Sequence, residues 1–323
     1  MSTTELFEAP EAVGGAEARP AVAGHGPLRL ALARLRHDRV AIVCAVFIVI
    51  LILLAIFAGP LSQVIGWGPT DQDRTGGITP DGLPVGPTGT HWLGTDNLGR
   101  DILVRILYGA RISLVVGVAA AVAAVLVGVV VGLCAGYFGP VVDTLLARLM
   151  DVVLSFPFLL FAIALVTVIG PSELIEIAVI AFFSWAAVGR IVRGQTLSIR
   201  EKEYIEAARS LGASDLRIMF VDVLPNLIAP VIVYTTLLIP VSIVFEATLS
   251  FLGVGIIPPT PSWGNMISDA QGYYQVAWWF LVFPGLALLL TVLAFNLLGD
   301  SVRDALDPRT ERLFAAKRKK AKR

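Results

Sequence analysis

Residues 40–58 read VAIVCAVFIVILILLAIFA and contain no charged side chain. A helix of about 20 apolar residues spans the hydrocarbon core of a bilayer, which is about 30 Å thick. This run therefore predicts a membrane-spanning helix. A cleaved secretory signal is the alternative, but its apolar run is usually shorter and ends in a small-x-small site. Residues 57–60, FAGP, match such a site poorly.

Further apolar stretches recur along the chain, and the composition agrees with them. Hydrophobic residues make up 56% of the sequence, charged residues only 15%, and the mean hydropathy is +0.79. About a quarter of a soluble domain is charged, so lipid must be part of the solvent. We predict an all-α integral membrane protein with six spans, at residues 40–58, 112–133, 152–169, 174–188, 227–252 and 276–298.

The basic residues predict which side of the membrane each loop occupies. Lys and Arg concentrate in residues 29–39, 190–217 and 303–323, whereas the loops on the opposite side hold few. Because cytoplasmic loops carry the excess of Lys and Arg, both termini are expected in the cytoplasm. We predict three parts: a cytoplasmic arm (1–39), disordered over residues 1–27, a transmembrane domain (40–300) and a basic tail (301–323).

The tail admits two interpretations. Its run Lys317–Lys320 is either a solvated anchor that follows the positive-inside rule or a site for anionic lipid. The two cysteines, Cys44 and Cys134, fall inside apolar runs without metal-ligand or redox-motif spacing. They predict small buried apolar side chains.

Two loops are longer than simple connectors. Residues 59–111 are rich in Gly, Pro and Asp and are predicted to lie outside the cell, as an irregular segment followed by a short interfacial helix from Arg100. Residues 189–226 are predicted to lie in the cytoplasm. They are polar, with helical spacing, between two apolar spans.

The cytoplasmic loop contains the most informative stretch, EYIEAARSLGASDL at residues 203–216. Helical spacing places an apolar face on Tyr204, Ala207, Ala208 and Leu211. Gly212 follows the last turn, where a left-handed cap residue is commonly Gly.

A second helix is expected to follow this turn. Ser214 can cap it, and the chain is expected to break at Pro225 before the fifth span. Glu206 and Arg209 can form an ion pair within the first helix. The spacing alone leaves two interpretations open: a docking element for a cytoplasmic partner, or a helical hairpin that only closes the bundle.

Residues Glu206–Ala208, with Gly212 and then Leu224–Pro225, resemble the EAA motif of ABC importer permeases. In that family the segment is the coupling helix, which sits in a cleft of the ATPase subunit. The common pattern has an Ile two residues before the Leu. This chain has Asp222 there, with Val223 as the neighbouring hydrophobic residue.

Three more segments resemble the C-type permease subunits of dipeptide and oligopeptide importers, and they occur in the family's order. They are HWLGTDNLGRD at 91–101, SFLGVG at 250–255 with PSWG at 261–264, and the Asp- and Arg-rich residues 299–309. Together with the EAA-like motif they cover about residues 30–310.

This resemblance implies a type I ABC importer permease fold in a prokaryotic cell (inner) membrane. It implies a second, related permease as partner in a heterodimer, and two ATPase subunits that bind ATP and Mg. It also implies an extracytoplasmic binding protein that delivers a peptide. The outer loop is the expected landing surface for that protein, with Trp92, Asp96, Arg100 and Asp101 as the candidate residues facing it.

No catalytic motif emerges from the sequence. A P-loop needs a Gly-Lys pair, and none of the lysines follows a Gly. The residues likewise offer no metalloprotease motif and no nucleophile elbow. We therefore expect no enzyme activity, cofactor, metal site or nucleic-acid partner in this chain itself.

Ionisable residues inside spans are functional candidates by default. Glu246 is the clearest, and with Phe251 it is a candidate for lining the pore or its external gate. The alternative is a Glu bonded to neighbouring helices or to the 251–255 turn. Asp143, Arg148 and Asp151 are expected to form local ion pairs and an interface to the coupling helix, and His91 to serve packing or an interface.

Two rival functions remain open. Nickel-chelate importers share these motifs, so the cargo need not be a peptide. A secondary transporter driven by an ion gradient would, by contrast, work without an ATPase.

Overall fold

The computed structural model describes residues 27–307, and within that range the chain is helical without β-strands. The predicted basic run at Lys317–Lys320 and the start of the predicted arm lie outside the described residues. The helices, in chain order, are α1 (Pro27–Leu35), α2 (Arg39–Ile56), α3 (Ala58–Ile65), α4 (Ile102–Tyr137), α5 (Pro140–Ser155), α6 (Phe158–Ile169), α7 (Glu173–Arg200), α8 (Glu203–Ser210), α9 (Asp215–Arg217), a π-helical segment (Ile218–Val223), α10 (Leu224–Phe251), α11 (Trp263–Ala270) and α12 (Trp278–Leu306).

Five of these elements are long and apolar enough to cross a membrane, and the bent pair α5–α6 makes a possible sixth. The five are α2, α4, α7, the continuous α9–α10 unit and α12. The predicted all-α membrane fold is confirmed. The predicted boundaries are several residues too short for α4, α7 and α12.

The third predicted span, 152–169, is not one straight helix. α5 and α6 meet at an angle of 84°, at Phe156 and Pro157. Proline lacks an N–H and disfavours helical geometry in the residue before it. Phe156 accordingly takes an extended conformation, with φ −78° and ψ 133°.

The prediction of a separate interfacial helix from Arg100 is wrong. α4 starts at Ile102 and continues without a break for 36 residues into the span. Asp101 caps it, because its carboxylate accepts the backbone N–H of Val104 at 2.9 Å. A side-chain acceptor at this position satisfies one of the free N–H groups of the first turn.

α4 and α7 form the most extensive helix pair of the bundle. Small residues permit the close approach: a Cβ at Gly132 would lie 2.5 Å from the carbonyl oxygen of Gly189, and Gly128 and Gly136 are similarly tight against α7. Small residues at helix interfaces are typical of membrane bundles, where close backbone packing drives association.

The predicted chain break at Pro225 does not occur. α9, the π-helical segment and α10 follow one another without interruption, and Pro225 falls in the first turn of α10. Proline lacks an N–H, and the wider π-helical turn, in which the Leu224 N–H bonds to Met219 O, stands directly before it.

The end of the predicted arm is ordered against the end of the last span. α1 packs on α12, and Arg34 donates a hydrogen bond to the carbonyl oxygen of Ala305 at 3.1 Å. Asp38 caps α2 through the backbone N–H of Val40.

Candidate functional site

Helix α8 is fixed to the bundle by a single fully buried side chain, that of Ile205. Ile205 packs in an apolar cluster with residues of the π-helical segment, α4 and α7, namely Ile218, Met219, Val223, Leu133 and Val192. An isolated helix of eight residues is unstable in water. The position of α8 therefore depends on this packing.

The C-terminus of α8 is closed by a Schellman motif, as the sequence predicts for Gly212. Gly212 has φ +80°. Its N–H donates to Arg209 O at 3.0 Å, and the N–H of Ala213 donates to Ala208 O at 3.1 Å. Such a pair of bonds satisfies the last carbonyls of a helix and needs a left-handed residue, which Gly supplies at low cost.

The turn is also tied to α4. The Tyr137 hydroxyl donates to the Asp215 carboxylate at 2.8 Å, and the Arg209 guanidinium lies 5.9 Å from the centre of the Tyr137 ring. The predicted ion pair between Glu206 and Arg209 is therefore replaced by a cation–π contact. Ser214 occupies the cap position before α9, but its side chain makes no capping hydrogen bond.

The predicted apolar face of α8 is corrected by the structure. Tyr204 and Ala207 are exposed, Leu211 is 87% exposed, and Ala208 points partly towards the buried side. Glu206 and Gly212 are exposed beside them. Ile205, which the face prediction omitted, is the buried residue. The rest of α8 is an open surface, called here the α8 surface, with Tyr204, Glu206, Ala207 and Leu211.

At the opposite end of the bundle, segment 66–101 folds around buried charges. Asp96 accepts from the Arg100 Nε at 2.6 Å and lies 3.4 Å from the Arg105 Nε. Arg100 also reaches Asp269 at 3.7 Å, and burial raises the pKa of that carboxyl. This network ties the segment to α4 and α11.

A second buried cluster centres on His91. Its Nδ1 lies 2.8 Å from the Asp101 carboxylate, its Nε2 lies 3.4 Å from Asp73, and Trp67 stacks on the ring at 4.8 Å. The pKa of Asp73 falls to about 2, first because the Gly76 N–H donates to its carboxylate and further because His91 bonds to it. The imidazole thus serves packing within the segment.

The four residues expected to face a binding protein divide into two groups. Trp92 is 65% exposed, whereas Asp96, Arg100 and Asp101 are buried. The prediction that those three side chains face outward is wrong, because their charges are satisfied inside the segment. They shape the surface that Trp92 presents.

Comparison with known proteins places this geometry in a family. Residues 128–312 match the model of the binding-protein-dependent transport system inner membrane component, and residues 26–77 match the N-terminal TM domain of oligopeptide transport permease C. The first match covers more than half of the chain. The chain belongs to this permease family.

Individual relatives agree over most of their length. The permease is 43% identical to the dipeptide transport system permease protein DppC of Alkalihalophilus pseudofirmus, over 88% of this chain and 90% of the relative. It is 44% identical to the glutathione transport system permease protein GsiD of Escherichia coli, over 85% of this chain and 88% of the relative. The predicted recognition as a C-type permease of ABC importers, in the inner membrane, is confirmed.

The two gate candidates of the permease differ in burial. Glu246 is fully buried near the end of α10. It accepts from the Ser250 hydroxyl at 3.0 Å, and the same hydroxyl accepts the Ile256 N–H at 3.0 Å. Phe251, half-buried, ends α10. These bonds agree with the alternative interpretation of Glu246, in which its carboxyl is bonded within the bundle and, through Ser250, to the turn after α10.

The ionisable residues of α5 pair with α7 and not with α8. Asp143 forms a bidentate pair with Arg193, and Asp151 pairs with Arg190. Arg148 lies 3.8 Å from Asp151. These pairs line a cleft of about 350 Å³. The predicted local ion pairs are present, and the predicted interface to α8 is not.

Sequence reasoning overlooked one further buried carboxyl in the spans, Glu176, in the first turn of α7. It stands between Ile175 and Ile177 in an apolar stretch. Although a first-turn acidic residue is often an exposed partner of the helix dipole, Glu176 lies inside the predicted span 174–188, and that position is the signal that could have identified it.

Proposed function

We propose that this permease is a pore-forming subunit of an ABC importer that moves di- or oligopeptides by alternating access. A second permease would complete the pore. Two ATPase subunits, carrying ATP and Mg, would drive it, and an extracytoplasmic binding protein would deliver the peptide. The names of the relatives, a dipeptide and a glutathione permease, support a peptide cargo.

The observation that carries the proposal is the α8 surface. A short helix is capped at Gly212 and anchored by Ile205, yet its outer side is largely exposed, with Tyr204 accepting one 3.4 Å hydrogen bond from Asn226. Small Ala207 lets another backbone approach closely, while Tyr204 and Leu211 offer apolar area. We assign this surface to an ATPase subunit.

The orientation follows from the positive-inside rule. α8 and both termini would then face the cytoplasm, and segment 66–101 the outside, where exposed Trp92 would meet the binding protein. The basic residues thus place α8 on the same side of the membrane as the ATPase that we assign to it.

The packing around α8 supports a route for mechanical coupling. Ile205 belongs to one apolar cluster with side chains of α4, α7 and the π-helical segment, and Asp215 is bonded to Tyr137 at the end of α4. A displacement of α8 would act on these helices together. Rigid-body rearrangement of packed helices is a known form of such switching.

ATP hydrolysis by the complex tests this proposal. The full chain is extracted gently from native membranes with its partners, and hydrolysis is measured with and without di- and oligopeptides plus the binding protein. We expect stimulation by peptide. We expect Leu211→Glu to abolish the stimulation, because it places a charge on the α8 surface.

The matched control is Leu98→Glu, at an exposed leucine in segment 66–101, on the side away from α8. It should leave the copurified ATPase and its hydrolysis without peptide unchanged. If a metal chelate stimulates ATP hydrolysis and peptides do not, the cargo is a metal chelate and not a peptide. A preparation that transports without any ATPase would refute the proposal.

A further inference from the structure

Two carboxyl groups are buried inside the helix bundle without a cation. Glu176, in the first turn of α7, is 1% exposed, and Glu246, near the end of α10, is 0% exposed. Both helices contribute to the same apolar cluster, through Val179 and Ile180 on α7 and Leu249 on α10. Both carboxyls therefore lie on helices that pack together around one buried apolar region.

The hydrogen-bonding capacity around this pair is incomplete. Glu176 has no hydrogen-bond partner on either oxygen, and Glu246 has one on Oε1, from Ser250, but none on Oε2. Ser113 on α4 is fully buried and faces Glu246, yet its hydroxyl is also without a partner. An unpartnered buried polar atom is costly, and the cost is higher when the group carries a charge.

No positive charge of the described chain balances the pair. Neither Glu176 nor Glu246 takes part in an ion pair. Charged groups on the packed helices are paired with other residues: Arg105 with Asp96, and Asp269 with Arg100. On α7, Arg190 pairs with Asp151 and Arg193 with Asp143. Arg111 and Glu173 are exposed. α6 carries no titratable side chain.

The enclosure also limits what can reach the site. At 1% exposure or less, neither a neighbouring subunit nor a peptide can touch these carboxyls while the helices are packed in this way. An isolated ionised carboxylate in such a place is strongly disfavoured and takes up a proton instead. A second like charge on a helix of the same apolar cluster adds to this cost.

We propose that Glu176 and Glu246 form an enclosed proton-binding site, in which Glu176 holds a proton at neutral pH. Glu176 is assigned the proton because it has no donor nearby. Glu246 has one donor, the Ser250 hydroxyl. A neutral Glu176 removes the charge repulsion within the pair. The proposal does not depend on the cargo of the importer.

Infrared spectroscopy tests the protonation directly. The full chain, purified with its partner subunits, is compared with Glu176→Gln at neutral pH in H₂O and D₂O. We expect a carboxylic acid C=O band in the wild type that shifts to lower wavenumber in D₂O and is lost in Glu176→Gln. Glu173→Gln, which changes an exposed carboxylate one turn away, should keep the band.

The melting temperature supplies a second readout. Because Gln copies the shape of a neutral carboxyl, Glu176→Gln should melt at or above the temperature of the wild type. Retention of the band in Glu176→Gln, or its absence from the wild type, would overturn the proposal. So would a band lost only in Glu246→Gln, because the proton would then sit on the other member of the pair.

Discussion

Replacing Ile205 by Ala tests how α8 is held. The side chain is fully buried among residues of α4, α7 and the π-helical segment, and truncating such an Ile costs about 2–5 kcal/mol. Since every 1.4 kcal/mol is about tenfold in a population, the detached form of α8 should become at least about 30-fold more frequent. Hydrogen exchange of the α8 amides, measured by mass spectrometry on the purified complex, should rise accordingly.

Two matched variants separate anchoring from docking. Ile205→Val removes one methylene and should cost only about 0.5–1.5 kcal/mol. Leu211→Ala, at a side chain that is 87% exposed, should leave the intrinsic stability within about 0.5 kcal/mol, while weakening retention of the ATPase. Equal exchange in Ile205→Ala, Ile205→Val and the wild type would refute the anchoring argument.

Three further predictions follow from particular positions. Gly212→Val should uncouple ATP hydrolysis from uptake, because a left-handed non-Gly residue costs about 1–2 kcal/mol. Gly66→Val, which strains a similar cap at φ +89° on α3, should not. Gly132→Ala should lower the melting temperature, because its Cβ would lie 2.5 Å from a carbonyl oxygen and overpacking costs about 1–3 kcal/mol. The hydrogen bonds to Asp73 lower its pKa from 3.8 to about 2. Its contribution to the stability of segment 66–101 should therefore be complete above pH 3.8 and be lost as the pH falls towards 2. Asp73→Asn should lack this acid transition, as followed by the fluorescence of Trp67.

The contradicting outcomes are equally specific. Coupled uptake in Gly212→Val would remove the need for a left-handed cap. Gly194→Ala is the control for Gly132→Ala, because it lies on α7 with no atom within 4 Å of the added Cβ. Equal melting temperatures for these two variants would contradict the close packing of α4 and α7. An acid transition that persists in Asp73→Asn would have to come from other carboxyls.

The sequence predicts best what depends on local composition. Apolar runs locate the spans, and the Gly212 cap follows from the turn residue itself. The sequence does not predict the bend between α5 and α6. Pro157 can either kink or break a helix, and the outcome depends on which neighbouring groups bond to the freed backbone atoms.

Charged residues were harder to place. Asp96, Arg100 and Asp101 look like surface residues in a loop rich in Gly and Pro, and their burial depends on partners as distant in sequence as Asp269. The burial of Ile205 does not follow from the sequence either, because helical spacing equally permits a face that contains Tyr204 and Leu211. Which side of α8 meets the bundle is decided by the contact with α4, α7 and the π-helical segment, and that is tertiary information.

Uptake of a labelled dipeptide into liposomes tests the central claim most directly. The vesicles contain the permease with its copurified partners, with ATP on the ATPase side and binding protein on the other. We predict accumulation that requires both ATP and the binding protein and is lost in Leu211→Glu. Accumulation driven by an ion gradient in the absence of ATP would contradict the account and make the chain a secondary transporter.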